Sequence, residues 1–207
     1  MTTELGFRLT FIALWVAFIA NLTWVRLKAR PRPQATALGR SNRKRAVALA
    51  LFAPLWFAGI VLYAVHPSTI AFLSISLPAW FRWAMVVVTA ASIPFIIWSN
   101  RTLGKNWVHA LDAATFLERT DQALVTSGPY RYVRNPIYFG SFVFIIALAL
   151  VASNWLLLVP ALFLIVLIYR EVPNEEAMLL ERFGDEYREY CRRTPRLVPS
   201  PWRGTGL

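Results

Sequence analysis

The chain has 207 residues, of which 57% are hydrophobic and 16% charged, and its mean hydropathy is +0.47. This composition is far from the soluble average and typical of multi-spanning membrane proteins. The net charge is +11, but the basic residues collect between apolar runs, which argues against a nucleic-acid-binding face. The single cysteine and two distant histidines exclude an internal disulfide framework and argue against a zinc site, so we expect no metal.

Apolar runs of about 20 residues predict transmembrane helices, because a helix of that length crosses roughly 30 Å of hydrocarbon. Three runs qualify directly: Phe7–Leu27, Ala46–Val65 and Trp80–Trp98. The stretch Ile137–Tyr169 is too long for one upright helix, and Ser153–Trp155 predicts a tight turn that divides it into a helical hairpin. The predicted fold is therefore all-α and multi-pass, with about five transmembrane helices.

The basic residues predict the orientation of these spans. Eight Lys and Arg lie from Arg26 to Arg45, around the first connection, and none lies between the second and third spans. Five lie from Arg101 to Pro136, and seven from Arg170 onward. Because such residues stay on the cytoplasmic side, we predict an outside N-terminus and a cytoplasmic C-terminus, with the first basic loop near anionic lipid. The apolar run Ile70–Leu77 is too short to cross and is predicted to be an outer interfacial loop.

We expect one structural domain with two parts. Residues 1–100 supply three spans and the basic loop, and residues 101–207 supply a long cytoplasmic loop, the hairpin and a C-terminal helix. The long loop needs a functional reason, and Gly128 and Pro129 predict a tight turn in it. Pro136 is predicted to lie in the first turn of the fourth span.

The tail predicts an amphipathic helix that lies over the loop or on the membrane surface. Pro173 and Asn174 are interpreted as a helix break and an N-cap, and a glycine on the packed face would allow close helix approach. That face comprises Ala177, Leu180, Phe183, Gly184, Tyr187 and Cys191.

Charged and aromatic residues at the inner end of the hairpin have two interpretations. Arg131, Arg134 and the neighbouring tyrosines are compatible with interfacial anchoring, and Glu175 and Glu176 with a favourable helix dipole. Charges such as Arg170 and Glu171 at the end of an apolar span are usually paired or functional. Since all of these residues converge on one end of the hairpin, the pattern favours a site.

The paired segments "LVTSGPYRYVRNPIYFG" and "EEAMLLERFGDEYREYCRRTPRLVP" carry a family resemblance. Together they resemble the isoprenylcysteine carboxyl methyltransferase and phospholipid methyltransferase group of integral membrane enzymes, over roughly Leu103 to Pro199. The resemblance implies an S-adenosylmethionine-dependent methyltransferase with its cofactor pocket at the cytoplasmic membrane surface. It also implies a lipophilic acceptor, such as a prenylcysteine-type carboxylate.

The same resemblance assigns the site residues. Main-chain cofactor contacts fall on Gln122, Ala123, Leu124 and Val125, and other cofactor contacts on Tyr130, Arg134, Asn135, Pro136, Ile137, Tyr138 and Glu175. Arg170 is implied to bind substrate, Arg170 and Glu175 are implied to be catalytic, and a further polar contact falls near Thr115. Asn135 stands where the family usually has histidine, and asparagine keeps a donor and an acceptor but cannot titrate.

These residue types suit S-adenosylmethionine, which presents a sulfonium cation, a carboxylate, an ammonium group and ribose hydroxyls. Such a ligand calls for aromatic faces, an arginine or backbone N–H groups, and a carboxylate. Methyl transfer to a carboxylate or thiolate depends mainly on positioning, whereas an amine acceptor needs a base, for which only Glu171 and Glu176 are candidates.

Two alternatives remain open. The C-terminal region also resembles membrane sterol and steroid reductases, which use NADPH, although that larger cofactor suggests a longer cytoplasmic half. A catalytically silent membrane partner or sensor is supported mainly by Asn135. The sequence does not identify the methyl acceptor, because a prenylated cysteine, a phospholipid headgroup, a small thiol and another lipid are all compatible with it.

Overall fold

The computed structural model describes residues 2–28, 43–104, 123–170 and 172–198. Six α-helices and two short 3-10 helices make up these ranges, and no β-strand occurs within them, so the predicted all-α class is confirmed. In chain order the helices are α1 (Thr2–Lys28), α2 (Arg43–Val65), a 3-10 helix (Pro67–Leu73), α3 (Ala79–Leu103), a second 3-10 helix (Gly128–Arg131), α4 (Pro136–Ala152), α5 (Trp155–Tyr169) and α6 (Val172–Arg193).

Length and composition identify the helices that can cross a membrane. Three described helical segments pass this test: Thr3–Val25 in α1, Ala79–Leu103 in α3, and a segment from Trp155 that runs through α5 into α6. Part of α2 joined to the 3-10 helix after it would give a fourth, although this pair is bent by 119°, and α4 is apolar but has only 17 residues. The chain is therefore a multi-pass membrane protein, while the count of five spans and the orientation stay predictions.

The hairpin turn between α4 and α5 forms where the sequence predicts it. Ser153 ends α4 in the left-handed region with φ 54°, and its N–H bonds to the carbonyl groups of Ala149 and Leu150. The side chain of Asn154 caps α5 by accepting a hydrogen bond from the Leu156 N–H at 2.9 Å. A C-cap and an N-cap therefore satisfy the backbone on both sides of a two-residue turn.

The apolar connection between α2 and α3 packs on this turn. Asn154 donates from Nδ2 to the Ile70 carbonyl oxygen at 2.8 Å, and the Ile75 N–H donates to the Ser153 carbonyl oxygen at 2.7 Å. These bonds hold the segment against the hairpin turn, and its predicted place at the outer membrane interface stays a prediction.

The core lies where α1, α3 and α4 meet, and glycine sets its closest approach. Phe18 of α1 stacks on Phe144 of α4 with ring centroids 4.1 Å apart. A Cβ atom placed on Gly140 would lie only 2.7 Å from Cγ1 of Ile96 and 3.0 Å from Cδ1 of Phe95. The absence of a side chain at Gly140 therefore lets α3 hold the first turns of α4 in place.

A partly buried polar cluster ties together the helix ends that lie near the start of α1. Arg82 donates to both carboxylate oxygens of Glu4 at 2.7 and 3.1 Å, to the Tyr63 hydroxyl at 3.2 Å, and to the Val151 carbonyl oxygen at 2.9 Å. Tyr63 in turn donates to Glu4 at 3.1 Å. We call Glu4, Tyr63 and Arg82 the N-terminal cluster, which joins α1, α2, α3 and α4.

Two predictions about the tail are wrong. The helix begins at Val172, so Asn174 lies inside its first turn rather than at the N-cap, since proline is tolerated in a first turn. Gly184 has φ 53° and ψ −121°, and a Cβ atom there would meet nothing within 4 Å. Its role is a backbone kink that favours glycine, and none of the described residues packs closely against it.

Candidate active site

The segment "LVTSGPYRYVRNPIYFG" forms a tight turn before α4, and this turn separates its tyrosines and arginines into a buried and an exposed group. Gly128 has φ 59°, and the 3-10 helix that follows buries Pro129 and Tyr130. Arg131 and Tyr132 are exposed, as expected for residues near a membrane interface. Of the first two tyrosines in the motif, only Tyr130 therefore points into the protein.

Helix α6 holds Tyr130 in its buried position. The Tyr190 hydroxyl donates a hydrogen bond to the Tyr130 carbonyl oxygen at 2.6 Å. Burial raises the pKa of the Tyr130 hydroxyl above its ordinary value, and the nearby Tyr190 and the negative charge of Glu175 raise that pKa further. Tyr130 thus stays protonated near neutral pH and lies within electrostatic reach of Glu175.

A cleft opens beside Tyr130, between the end of α3, the chain before the turn and α6. The empty space in this cleft is about 440 Å³ including its open mouth. One side is lined by Leu103, Ala123, Leu124, Val125, Tyr130 and Arg134. The other side is a wall from α6, lined by Leu179, Phe183, Tyr187 and Tyr190.

Arg134 reaches the edge of this cleft, but its guanidinium group is used inside the protein. Nε and Nη2 donate to Oε1 of Glu176 at 3.0 and 2.9 Å. Nη1 donates to the carbonyl oxygens of Cys191 and Thr194 at 3.1 and 2.6 Å, where the end of α6 has unsatisfied acceptors. Arg134 therefore ties the entry of α4 to both ends of α6.

Glu176 is the centre of this network and is itself buried. Its second oxygen, Oε2, accepts a hydrogen bond from Nε of Arg196 at 2.9 Å. The hydrogen bond to Glu176 raises the pKa of the Arg196 guanidinium, with a smaller contribution from a hydrogen bond to Tyr169. We call Arg134, Glu176 and Arg196 the C-terminal cluster. It connects the start of α4, the end of α5 and the start of α6.

Asn135 joins the same cluster through hydrogen bonds. Its Nδ2 donates to the Arg196 carbonyl oxygen at 3.0 Å and to Oε1 of Glu176 at 3.4 Å. Its backbone N–H also donates to the Arg196 carbonyl oxygen at 3.2 Å. The residue that replaces the usual histidine is therefore a neutral donor toward a carbonyl and a carboxylate.

Tyr138 and Glu175 form a second pair at the start of α4 and α6. The Tyr138 hydroxyl donates a hydrogen bond to Oε1 of Glu175, and both side chains are half-buried. A carboxylate beside an aromatic ring suits a ligand that carries an ammonium or sulfonium group.

The structure thus brings together much of the site predicted from sequence. Ala123, Leu124, Val125, Tyr130 and Arg134 share the cleft, and Glu175 pairs with Tyr138 within electrostatic reach of Tyr130. The other predicted positions are distributed as follows: Pro136 and Ile137 lie in the first turn of α4 without lining the cleft, Arg170 is exposed at the end of α5 and does not line it, and Thr115, Gln122 and Glu171 are outside the described residues.

Sequence reasoning missed three residues that build the site. Tyr190 fixes Tyr130, Arg196 neutralises Glu176 together with Arg134, and Tyr187 lines the cleft as a buried side chain. The spacing of Tyr187 and Tyr190 places both on one side of α6 and was the available signal for them. No local signal marks Arg196 as the partner of a carboxylate 20 residues earlier.

Fold and site together define a helical membrane protein with a cleft at one end of its helical bundle. The family described as phospholipid methyltransferase matches residues 81–186, half of the chain. The chain therefore belongs to the phospholipid methyltransferase family, which confirms the resemblance inferred from the two motifs.

Several relatives align with part of the chain. A protein-S-isoprenylcysteine O-methyltransferase from Schizosaccharomyces pombe is 35% identical over 80 residues, which is 38% of this chain and 34% of the relative. Methanethiol S-methyltransferase 1 from Bradyrhizobium diazoefficiens is 36% identical over 86 residues, 42% of this chain and 29% of the relative. The matches thus cover about a third of the length of these two relatives.

A solved structure shares the fold. The eukaryotic intramembrane Ras methyltransferase, an isoprenylcysteine carboxyl methyltransferase, superposes with a TM-score of 0.60 over 97% of this chain and 67% of that chain. Its sequence identity is 19%, so this likeness concerns the arrangement of helices. Nearly the whole chain, including the three N-terminal helices, follows that arrangement.

Proposed function

We propose that the protein is an integral membrane methyltransferase that uses S-adenosylmethionine to methylate a lipophilic acceptor. The observation that supports this most is the convergence of one main-chain segment and one aromatic wall on a single cleft. Residues 123–125 and Tyr130 line one side, and Phe183 and Tyr187 of α6 line the other. The Tyr138–Glu175 pair lies close by at the starts of α4 and α6.

The residues present fit this cofactor. The apolar and aromatic walls suit an adenine ring, and main-chain groups at 123–125 suit its polar edge. Glu175, already oriented by the Tyr138 hydroxyl, would hold the ammonium group or the ribose. The aromatic faces of Tyr130 and Tyr138 would lie against the sulfonium centre. When bound, S-adenosylmethionine supplies an activated methyl group.

The chain's own residues contribute mainly positioning. An in-line displacement by a carboxylate or thiolate requires little proton transfer, so alignment of the reacting atoms accounts for most of the rate. Exclusion of water by the buried walls would strengthen the electrostatic contacts of Glu175.

The acceptor we favour is a lipophilic molecule with a carboxylate, such as a prenylcysteine. The relatives carry names for O-methylation of isoprenylcysteine and S-methylation of methanethiol, and both reactions use an anionic oxygen or sulfur. We assign Arg170 as the residue that binds the acceptor's carboxylate, because it is a charged residue at the end of the apolar helix α5. In this proposal the N-terminus faces outside and the cleft faces the cytoplasm.

Calorimetric titration of detergent-purified protein with S-adenosylmethionine and with NADPH tests the proposal. We expect binding of S-adenosylmethionine, and we expect Glu175→Ala and Tyr130→Ala each to abolish it while the protein remains folded. Glu181→Ala on α6 and Tyr132→Ala beside the turn are the matched exposed controls. Binding of NADPH alone would reject the proposal in favour of a reductase, and binding of neither would favour a silent membrane protein.

The acceptor is tested by incubating the protein with methyl-labelled cofactor and a membrane extract, followed by identification of the labelled product. A labelled prenylcysteine methyl ester is expected. A labelled phospholipid headgroup or small thiol would overturn the acceptor while leaving the methyltransferase assignment in place.

A further inference from the structure

The hairpin of α4 and α5 is too short to reach both faces of a membrane. Helix α4 has 17 residues and α5 has 15. These helices are about 25 and 22 Å long, whereas the hydrocarbon core of a bilayer is about 30 Å thick. Arg131 before α4 and Arg170 after α5 are exposed, so the cleft end of the hairpin lies at a water boundary. The turn at Ser153–Asn154 therefore lies about 5–8 Å below the boundary on the opposite side.

A polar turn at this depth needs hydrogen-bond partners from the protein, because lipid supplies none. The connection between α2 and α3 provides them, and we call residues 66–77 the covering segment. Asn154 Nδ2 donates to the Ile70 carbonyl oxygen at 2.8 Å, and Ser153 Oγ donates to the Ile75 carbonyl oxygen at 2.6 Å. The Ile75 N–H donates to the Ser153 carbonyl oxygen at 2.7 Å. Turn and covering segment thus satisfy polar groups in each other.

The direction of the covering segment agrees with the depth of the turn. Its 3-10 helix, Pro67–Leu73, follows α2 after a bend of 119°. Because this bend exceeds a right angle, the 3-10 helix points back toward the hydrocarbon when α2 lies along the membrane normal. Its seven residues have a length of about 14 Å, so its end lies about 7 Å deeper than its start. This descent equals the distance by which the hairpin is too short.

The side chains of the covering segment suit contact with lipid. No Asp, Glu, Lys or Arg occurs in residues 66–79. Ile70 is buried, whereas Phe72, near the deep end of the 3-10 helix, is 82% exposed. Val65 and Trp80, at the adjoining ends of α2 and α3, are exposed as well. The apolar surface of the covering segment therefore continues the surface of the spanning helices.

We propose that the covering segment is a re-entrant element that enters the leaflet opposite the cleft, with Phe72 in contact with phospholipid acyl chains. The segment fills the space above the short hairpin and shields the polar turn from lipid. Its partner is the hydrocarbon of that leaflet. This role concerns how the hairpin that carries the cleft is held in the membrane, and it is independent of the methyl donor and acceptor.

Site-directed spin labels measure the depth of the covering segment. Cys191→Ser removes the single cysteine, and Phe72→Cys or Ser68→Cys then places one label near the deep or the shallow end of the 3-10 helix. Val87→Cys, exposed within α3, is the hydrocarbon reference, and Arg188→Cys, exposed on α6, is the water reference. Each labelled protein is reconstituted in dioleoylphosphatidylcholine vesicles, and collisions of the label with oxygen and with a water-soluble nickel chelate are compared. Thermal unfolding checks that each variant is folded.

The Phe72 label is expected to resemble the Val87 label, with frequent oxygen collisions and few nickel collisions, because oxygen enters hydrocarbon and the chelate does not. The Ser68 label should lie about 4 Å closer to the headgroups and collide more often with nickel. Adding Asn154→Ala should move the Phe72 label toward the nickel chelate, since the Ile70 carbonyl oxygen loses its partner.

Three outcomes would overturn the inference. Nickel collisions of the Phe72 label as frequent as those of the Arg188 label would place the covering segment in water. Equal depth of the Ser68 and Phe72 labels would show that the segment lies flat on the membrane surface. An unchanged depth of the Phe72 label after Asn154→Ala would show that the hairpin turn does not hold the segment.

Discussion

The two ends of the helical bundle hold polar clusters built from similar groups and placed in different surroundings. In the N-terminal cluster the Arg82 side chain is buried but the Glu4 side chain is 47% exposed. In the C-terminal cluster the Glu176 and Arg134 side chains are 10% and 11% exposed, and a second arginine, Arg196, pairs with the other oxygen of Glu176. Water therefore screens the first carboxylate and hardly reaches the second.

Position relative to the cleft distinguishes their roles. No residue of the N-terminal cluster lines the cleft, and its hydrogen bonds join the ends of four helices. Arg134 of the C-terminal cluster lines the cleft, and Glu176 follows Glu175, the residue bonded to Tyr138. The same chemistry thus assembles helices at one end and fixes the relative position of the residues we propose to bind the ligand at the other.

The largest expected effect comes from Glu176→Gln. Loss of the carboxylate charge leaves two arginines without their counter-ion, one of them buried, which we expect to cost about 3–5 kcal/mol of unfolding free energy. Thermal or denaturant unfolding in detergent measures the loss, and S-adenosylmethionine binding should be lost too because α6 is displaced. Glu181→Gln, on an exposed part of the same helix, is the control. A variant as stable as wild type would refute the central role of Glu176.

Arg82→Gln tests the N-terminal cluster at the other end of the bundle. It removes charge-assisted hydrogen bonds to Glu4, and we expect a loss of about 2–3 kcal/mol because the exposed Glu4 is readily rehydrated. The affinity for S-adenosylmethionine, measured by calorimetry at a temperature where the variant is folded, should stay within about twofold of wild type. A large loss of affinity would mean that the two ends are coupled and the division of roles is wrong.

The packing between α3 and α4 is the physical link between the two ends. Gly140→Ala places a Cβ atom 2.7 Å from Ile96, so one helix must shift, and we expect a loss of about 1–3 kcal/mol. Because Gly140 follows Tyr138 closely, ligand affinity should fall more than in Arg82→Gln despite a similar or smaller loss of stability. Ile96→Ala removes the clashing Cγ1 atom, so the Gly140→Ala/Ile96→Ala double variant should lose less stability than the sum of the two single variants. Additive losses would place the clash elsewhere.

Local patterns in the sequence predicted the parts of the structure that depend on local physics. The hairpin turn at Ser153–Asn154 follows from small polar residues between apolar runs, and the buried Tyr130 follows from a glycine–proline turn. The segment 123–125 was placed in the site by its motif, and it lines the cleft. These features require only short-range preferences and a recognisable motif.

These local patterns could not predict which residues pair when they are far apart in the sequence. Glu4 and Arg82 are 78 residues apart, and each looks like an ordinary charge at the end of an apolar run. Arg134 was expected to contact the cofactor, but its guanidinium nitrogens bond to Glu176 and carbonyl groups 42 to 60 residues away. The kink at Gly184 was also missed, because glycine in an amphipathic pattern is compatible with both a kink and close packing.

The smallest expected effect concerns the position where this chain departs from its family. Asn135 acts through its Nδ2 donor, which bonds to the Arg196 carbonyl oxygen and to Glu176. In Asn135→His a neutral imidazole N–H supplies one such donor, so we expect stability within about 1 kcal/mol and ligand affinity within about threefold of wild type. Asn135→Ala, which has no donor, should lose more in both calorimetric affinity and unfolding free energy. If Asn135→His instead raises affinity or methyl transfer by tenfold or more, the titratable charge that this chain lacks contributes to the reaction, and the C-terminal cluster does more than hold the cleft in place.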